Sequence, residues 1–228
     1  ACRNTDVTYY GDTNAALEAQ KTDLRKAQHF IFMEYHAIED SIAWQGIEDI
    51  LAERAAAGVE VRVFYDDMGS IGFVDTAFAK KLQQRGIQCR VFNPIVPVLN
   101  VFMNNRDHRK ITVIDGQVGY TGGYNLADEY FNLTHPYGRW KDSGVRLEGD
   151  AVRNLTLIFL EMWGTTQKEM PAIEPYLPAI CYTAREAATV LPYADNPLDD
   201  KRVGEDVYLN LINSAQRYVY IRSEEHTS

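Results

Sequence analysis

Cysteine is scarce in this chain, which has three cysteines in 228 residues: Cys2, Cys89 and Cys181. An odd number of cysteines without a C-x-x-C spacing predicts neither a disulfide framework nor a zinc site. Cys89 begins the apolar segment Cys89–Phe92. We therefore predict that Cys89 is a buried free thiol.

Long hydrophobic runs are also missing, since no stretch reaches the roughly 18 apolar residues that a membrane-spanning helix requires. The residues of this chain therefore predict neither a spanning helix nor a signal peptide. A hydrophobic content of 46% and a charged content of 24% are ordinary for a globular protein. The length is sufficient for a substantial core.

Basic residues are outnumbered by acidic ones, 23 to 32, which gives a net charge of −9. A general nucleic-acid-binding protein needs a basic face, so we expect no nucleic acid as a partner. An anionic lipid surface is not excluded, because local basic clusters decide such binding. Five basic residues lie near the motif described next, although surface ion pairs are an alternative explanation for most of them. They are Arg106, Arg109, Lys110, Arg139 and Lys141.

One segment carries residues typical of phosphoryl transfer. His108, Lys110 and Asp115 follow the pattern H-x-K-x4-D, and Asn125 closes a glycine turn at Gly122–Tyr124. The apolar residues before Asp115 predict a buried strand, on which His108 and Lys110 would share one face. An imidazole can act as nucleophile or proton carrier, and an ammonium with an amide and turn N–H groups can hold phosphate oxygens. The pattern predicts a site that needs no metal and no cofactor.

H-x-K-x4-D followed by G-G-x-N resembles the signature of the phospholipase D superfamily. The flanking blocks resemble bacterial cardiolipin synthase: NNRDHRKITVIDG, YTGGYNLADEY, RWKDSGVRLEGDAV and LIFLEMW. Three earlier blocks extend the likeness over nearly the whole chain: FIFMEY, GVEVRVFYDDMGS and CRVFNP.

The resemblance implies a phosphatidyltransferase of the cardiolipin synthase type, which converts two phosphatidylglycerol molecules to cardiolipin and glycerol through a phosphohistidine intermediate. The reaction would use two histidines from two motifs. One would attack phosphorus, and the other would protonate the leaving alcohol. Phosphatidylglycerol and other phospholipids, the membrane surface and a location at the bacterial cell membrane are implied as well. The alternatives are a phospholipase D-type phosphodiesterase or nuclease that hydrolyses a phosphodiester, and a non-enzymatic binding remnant.

The same resemblance implies roles for individual residues. His108, Lys110 and Asp115 would be catalytic. Lys110, Asn125 and Gly123 would bind the substrate phosphate, although glycines in such a turn also serve a tight bend. Asp115, at a strand end beside a glycine, has a local structural role as its alternative.

Two further carboxylates are candidates. Asp142 matches a family carboxylate that orients the histidine of the other motif. Glu34 lies in an apolar strand, needs a partner if buried, and is a candidate to line the site. We interpret Asp66–Asp67 as a solvated turn rather than a metal pair, and His36 and His135 as structural or exposed.

Helices and strands alternate along the chain, which favours an α/β fold. The predicted helices are Asn14–Ala27, Ala43–Ala57, Ala77–Arg85 and Ala151–Gln167. The predicted strands are Phe30–Tyr35, Val59–Tyr65, Ile87–Phe92, Lys110–Asp115 and Val118–Thr121. With the resemblance, these imply a phospholipase D-like mixed β-sheet sandwiched by α-helices, with one complete domain and the start of a second repeat.

The second repeat is suggested by Leu24–Met33, which aligns with Ile212–Ile221 as the end of a helix followed by an alternating strand. No second H-x-K-x4-D is present, so we expect a missing part of the chain to supply it. The expected division is a first domain at 1–168, a proline-rich linker at 169–200 and a truncated second domain at 201–221. Residues 222–228 depart from the family pattern and back-translate to a sequencing-library adapter, so we expect a non-native tail.

Overall fold

The computed structural model describes residues 1–94, 106–167, 172–179, 182–195 and 201–221. The expected tail 222–228 and Cys181 lie outside the described residues. Two compact units are present, residues 1–192 and 193–228. Among the described residues, no helix combines the length and apolar character needed to cross a membrane.

A mixed seven-stranded sheet organises the first unit, in the order β1-β7-β6-β5-β2-β3-β4. Strands β2, β3 and β4 run parallel to one another, and every other neighbouring pair is antiparallel. The strands are β1 (Thr5–Tyr10), β2 (Phe30–Tyr35), β3 (Glu60–Asp66), β4 (Gln88–Phe92), β5 (Lys110–Ile114), β6 (Val118–Gly122) and β7 (Gly144–Gly149).

Helices cover both faces of this sheet, as predicted. The helices of the first unit are α1 (Thr13–Leu24), α2 (Ile42–Ala56), α3 (Phe78–Gln84) and α4 (Val152–Gly164). Side chains of β2 alternate between the faces: Ile31 and Met33 pack in the core with α1, α2 and α3, whereas Phe30 and Phe32 pack in the core with α4. The second unit contains α5 (Val203–Ser214). The structure thus confirms the helix–sheet–helix sandwich.

The helix ends follow local chemistry. The side chain of Asp12 accepts a 3.0 Å hydrogen bond from the Asn14 N–H and caps α1. Gly58, the second residue after α2, has a φ of 92°, a left-handed conformation that suits the end of a helix. Cys89 is 4% exposed, and burial raises the pKa of its thiol to about 12, which confirms the predicted buried thiol.

The structure also differs from the sequence predictions. Strands β1 and β7 were not predicted, because β7 carries charged residues whose partners are distant in sequence: Arg146 pairs with Asp23 at 2.7 Å. The predicted strand at Tyr218–Ile221 is wrong, since these described residues form no strand. A strand requires a neighbour for its backbone hydrogen bonds, and local alternation does not supply one.

Part of the predicted linker packs against the first strand. Tyr182 and Arg185 both donate hydrogen bonds to the carboxylate of Asp6. Val190 and Cys2 form an isolated antiparallel bridge. These contacts explain why the first compact unit extends to residue 192.

Candidate active site

One end of the sheet brings most of the predicted site residues together. Lys110, the first residue of β5, pairs with Tyr35, the last residue of β2. At the same end, Gly122 of β6 pairs with Gly144 of β7. The segments that leave these strand ends carry the remaining candidates. They are His108, Gly123, Asn125 and Asp142.

His108 and Lys110 differ in how the fold holds them. Strand β5 begins at Lys110, so strand alternation does not set the direction of His108, contrary to the sequence argument. Lys110 is 5% exposed, whereas His108 is exposed. The Nζ of Lys110 donates a 2.8 Å hydrogen bond to the His108 carbonyl oxygen. The site thus presents an accessible imidazole above a buried ammonium.

His36, which follows β2 directly, lies beside this imidazole. The ring centroids of His36 and His108 are 4.8 Å apart. The Nδ1 of His36 lies 2.8 Å from the carbonyl oxygen of Asp107, so Nδ1–H donates to it. Gly69 packs so closely on His36 that an added Cβ would collide with its carbonyl oxygen and ring. His36 is therefore held in place between two loops.

Asp66 fixes the segment before His108. Its carboxylate accepts hydrogen bonds from the Asp107 N–H at 2.9 Å and the Gly69 N–H at 3.0 Å. Arg106 pairs with the same carboxylate at 3.3 Å. Asp66 is fully buried, so the interpretation of this turn acid as solvated was wrong. A carboxylate at the end of an apolar strand was the sequence signal for a buried, bonded group.

Glu34 lies on the sheet face opposite Lys110, among the residues that pack on α4. It is fully buried, and its Oε1 lies 2.9 Å from Arg109 Nε. Arg109 also donates a 3.1 Å hydrogen bond to Asp107 Oδ1. The structure thus places Glu34 beneath the loop that carries His108, rather than in the lining of an open site.

Asn125 and Gly123 use their polar groups to bind the protein itself. The Oδ1 of Asn125 accepts a 3.0 Å bond from the Ala37 N–H, and its Nδ2 donates a 2.9 Å bond to Tyr130 Oη. The N–H of Gly123 donates to Ser143 at 3.2 Å. These bonds join three segments: the one that follows β2, the one that follows β6 and the one that directly precedes β7. A second hydrogen on Nδ2 leaves Asn125 one donor for a ligand.

Asp142 packs directly against Gly123, and a Cβ at Gly123 would collide with its carboxylate. The carboxylate accepts a 2.8 Å hydrogen bond from the Ser143 N–H. Asp142 also lines a cavity of about 790 Å³ that reaches the N-terminus of α1. Basic residues of the loop before β7, Arg139 and Lys141, line the same cavity.

Asp115 lies at the opposite end of β5, about 17 Å along the strand from Lys110. Its carboxylate accepts three backbone hydrogen bonds, from Gln28 at 2.7 Å and from His29 and Phe30 at 2.8 Å each. Asp115 itself has a φ of 52°. The fold therefore separates Asp115 from the other residues of the motif and uses it to join the loop before β2 to the β5–β6 turn.

Sequence reasoning assigned no role in the site to Asp107, His36 or Asp66, and explained Arg109 as a possible surface charge. All four hold the His108 segment. Among the described residues, no group of three or more His, Cys, Asp or Glu side chains is placed to hold a metal ion.

Comparison with known proteins places this chain in a family. Residues 21–163 match the family described as "Cardiolipin synthase, PLD-like domain". The chain belongs to the cardiolipin synthase family of phospholipase D-like domains. Cardiolipin synthase 2 of Staphylococcus epidermidis is 34% identical over 96% of the chain and 45% of its own length. An uncharacterised protein of Streptococcus mutans is 45% identical over 96% of the chain and 47% of its own length.

A solved structure supports the same fold. The phospholipase D family member Nuc from Salmonella typhimurium superposes with a TM-score of 0.50 at 16% identity, covering 70% of this chain and 93% of Nuc. The phospholipase D-like fold expected from the sequence is thus confirmed. This cardiolipin synthase-like chain spans about half the length of the curated relatives it matches.

Proposed function

We propose that this chain forms part of a phosphatidyltransferase that converts two phosphatidylglycerol molecules to cardiolipin and glycerol. The observation that carries the proposal is the exposed imidazole of His108 above the buried ammonium of Lys110. Family membership supports phospholipid substrates. The membrane surface of a bacterial cell is the corresponding partner and location.

The proposed reaction uses two histidines, His108 and one supplied by a second motif elsewhere in the full-length protein. One imidazole nitrogen bonds to phosphorus as the bond to the glycerol oxygen breaks, and the other histidine protonates that oxygen. The second histidine then removes the proton from a hydroxyl of another phosphatidylglycerol. That oxygen bonds to phosphorus and releases the first histidine, so the second histidine is acid and then base, while the first is nucleophile and then leaving group.

Other groups would bind the phosphate and its substituents. The ammonium of Lys110 would balance the charge of the phosphate oxygens, and the second N–H of the Asn125 amide would donate a hydrogen bond to one of them. The cavity beside Asp142 has a volume of about 790 Å³, within the range of small-molecule sites. Its Arg139 and Lys141 suit an anionic headgroup, and Asp142 would orient the histidine of the second motif. We further propose that residues 201–221 begin that second repeat.

The test uses the protein produced from the full-length gene, with labelled phosphatidylglycerol in mixed micelles. His108→Ala should lower cardiolipin formation by roughly 10³-fold or more. His29→Ala is the matched control, because the exposed His29 side chain lies at the other end of the sheet and only its backbone N–H binds Asp115.

Thin-layer chromatography of the products separates the alternatives. Cardiolipin that is lost in His108→Ala and retained in His29→Ala supports the proposal. Phosphatidic acid as the sole product would indicate a phospholipase D-type hydrolase that uses water as acceptor. Cardiolipin formation that survives His108→Ala would overturn the role of this motif.

A further inference from the structure

A cluster of three charged residues lies beneath the loop that carries His108. Glu34 is 0% and Asp107 3% exposed, and Arg109 contacts both, at 2.9 Å from Glu34 Oε1 and 3.1 Å from Asp107 Oδ1. The Arg109 N–H also donates to Asp107 Oδ1 at 3.2 Å. We call these residues the Glu34 cluster. Two of its members, Asp107 and Arg109, flank His108 directly in sequence.

The two carboxyl groups of the Glu34 cluster share one cation. The Nε–H of Arg109 is directed at Asp107, and among the described residues neither oxygen of Glu34 nor Oδ2 of Asp107 has a hydrogen-bond partner. Burial and the neighbouring Asp107 raise the pKa of Glu34 well above its usual range. A neutral Glu34 that donates its O–H to Asp107 provides a hydrogen bond for both carboxyl groups. The negative charge of Asp107 is then balanced by the positive charge of Arg109.

The main chain of Asp107 is held independently from the other side. Its N–H donates to Asp66 at 2.9 Å, and its carbonyl oxygen accepts from His36 at 2.8 Å. The residue before His108 is therefore bound through its N–H, its C=O and its side chain. His108 itself is exposed, and this anchoring of its neighbour adds to the Lys110 bond to its carbonyl oxygen and the contact with the His36 ring.

We propose that Glu34 and Arg109 are positioning residues that act through Asp107 to hold His108 in its reactive place. This inference rests on the proposed function of His108. A displacement of about 1 Å at a reacting group can lower a rate by about 10²-fold. Loss of the cluster should therefore lower kcat for cardiolipin formation by about that factor while KM changes little, because Glu34 is fully buried and the proposal gives neither residue a part in substrate binding.

The experiment compares Glu34→Ala with Glu34→Gln in the full-length protein, using kcat and KM for phosphatidylglycerol. Glu34→Gln keeps a donor for Asp107 and should retain kcat within a few-fold, whereas Glu34→Ala should not. Glu48→Ala is the matched control: Glu48 is 1% exposed and pairs with Arg85, on α2 rather than beneath His108. Equal losses of kcat in Glu34→Ala and Glu48→Ala would show that the loss comes from general destabilisation of the fold, which would overturn the proposal.

A second measurement does not depend on lipid turnover. Hydrogen exchange of the Asp107 and Arg109 amides, both bonded in the structure, should accelerate at least tenfold in Glu34→Ala and remain slow in Glu34→Gln. If the wild type makes no cardiolipin, the proposed function fails while exchange still tests the anchoring. Unchanged exchange and unchanged kcat in a folded Glu34→Ala protein would overturn the positioning role of Glu34.

Arg109→Lys provides a further variant should Glu34→Ala not fold. Lysine keeps the charge but lacks the planar guanidinium that reaches both carboxyl groups. The proposal expects a lower kcat and faster exchange at Asp107 in this variant, and wild-type values of both would contradict it.

Discussion

The ammonium of Lys110 is hydrogen-bonded to the carbonyl oxygen of His108 at 2.8 Å. This bond ties the cation to the main chain of the histidine that it accompanies, while the imidazole stays exposed. A buried cation costs free energy unless it is bonded or neutralised. Lys110 uses one of its three N–H donors here, and in the proposed reaction the phosphate adds a negative charge beside it.

Lys110→Met should lower kcat/KM for phosphatidylglycerol by about 10²- to 10³-fold, the usual effect of removing a donor that stabilises transition-state charge. Methionine has a similar volume, so the melting temperature should change little or rise. Kinetics with labelled lipid and a thermal melt measure the two effects. Lys80→Met, on the exposed surface of α3, is the control. Activity within a few-fold of the wild type would exclude Lys110 from phosphate binding.

Asp115→Ala should lower the free energy of unfolding by on the order of 2–3 kcal/mol, because three backbone N–H groups lose a charged acceptor. Asp115→Asn keeps one acceptor oxygen and tolerates the φ of 52°, so its loss should be smaller. Urea unfolding of both variants measures the difference. We expect kcat per folded molecule to stay within a few-fold of the wild type. A large loss of kcat in a fully folded Asp115→Asn protein would instead indicate a direct catalytic role.

Gly123→Ala should impair function more than stability. The added methyl group meets the Asp142 carboxylate, the end of a short side chain that can rotate away if it gives up its hydrogen bond from the Ser143 N–H. The displaced carboxylate would no longer be placed to orient the histidine of the second motif. We expect a loss of kcat similar to that of Asp142→Ala, with a melting temperature near the wild type. Additive effects in the double variant would contradict this shared cause.

The pH dependence of stability should report the protonation of Glu34. Its pKa is raised well above the usual 4.5 by burial and by Asp107, with Arg109 opposing; Glu161 also acts on Arg109. The folded protein therefore keeps a proton that the unfolded chain releases. Protonated Glu34 therefore contributes to the free energy of unfolding. This contribution is complete below about pH 4.5 and is lost as the pH rises through the pKa of Glu34 in the folded protein.

Glu34→Gln should remove that decline. Between about pH 5 and pH 8 the wild type should lose stability relative to Glu34→Gln, so the unfolding free energy of the variant minus that of the wild type should increase. Urea titrations at four pH values measure it, with Glu48→Gln as the control. A difference that is constant with pH would show that Glu34 is ionised in the folded protein. The same trend in both variants would show that Glu34 is not the source of the pH dependence.

Local pattern predicted much of the fold. Strand Phe30–Tyr35 has the predicted bounds, and α2 differs from its prediction by one residue at each end. These elements bury continuous apolar segments or have glycine at their ends, which are local signals. The strands that were missed, β1 and β7, pair with each other, and their charged side chains find partners far away in sequence. No local pattern contains that information.

The sequence by itself determined the family, indicated His108 and Lys110 as site candidates, and predicted the order of the helices and strands from α1 to β6. Only the tertiary structure decided what surrounds them. Antiparallel pairing of β5 with β2 places Lys110 beside Tyr35 and Asp115 beside Phe30, and it brings Glu34 beneath Arg109. The reason is physical: spacing along a chain sets which side chains are available, whereas strand register and burial set which of them meet and which charges must share a partner.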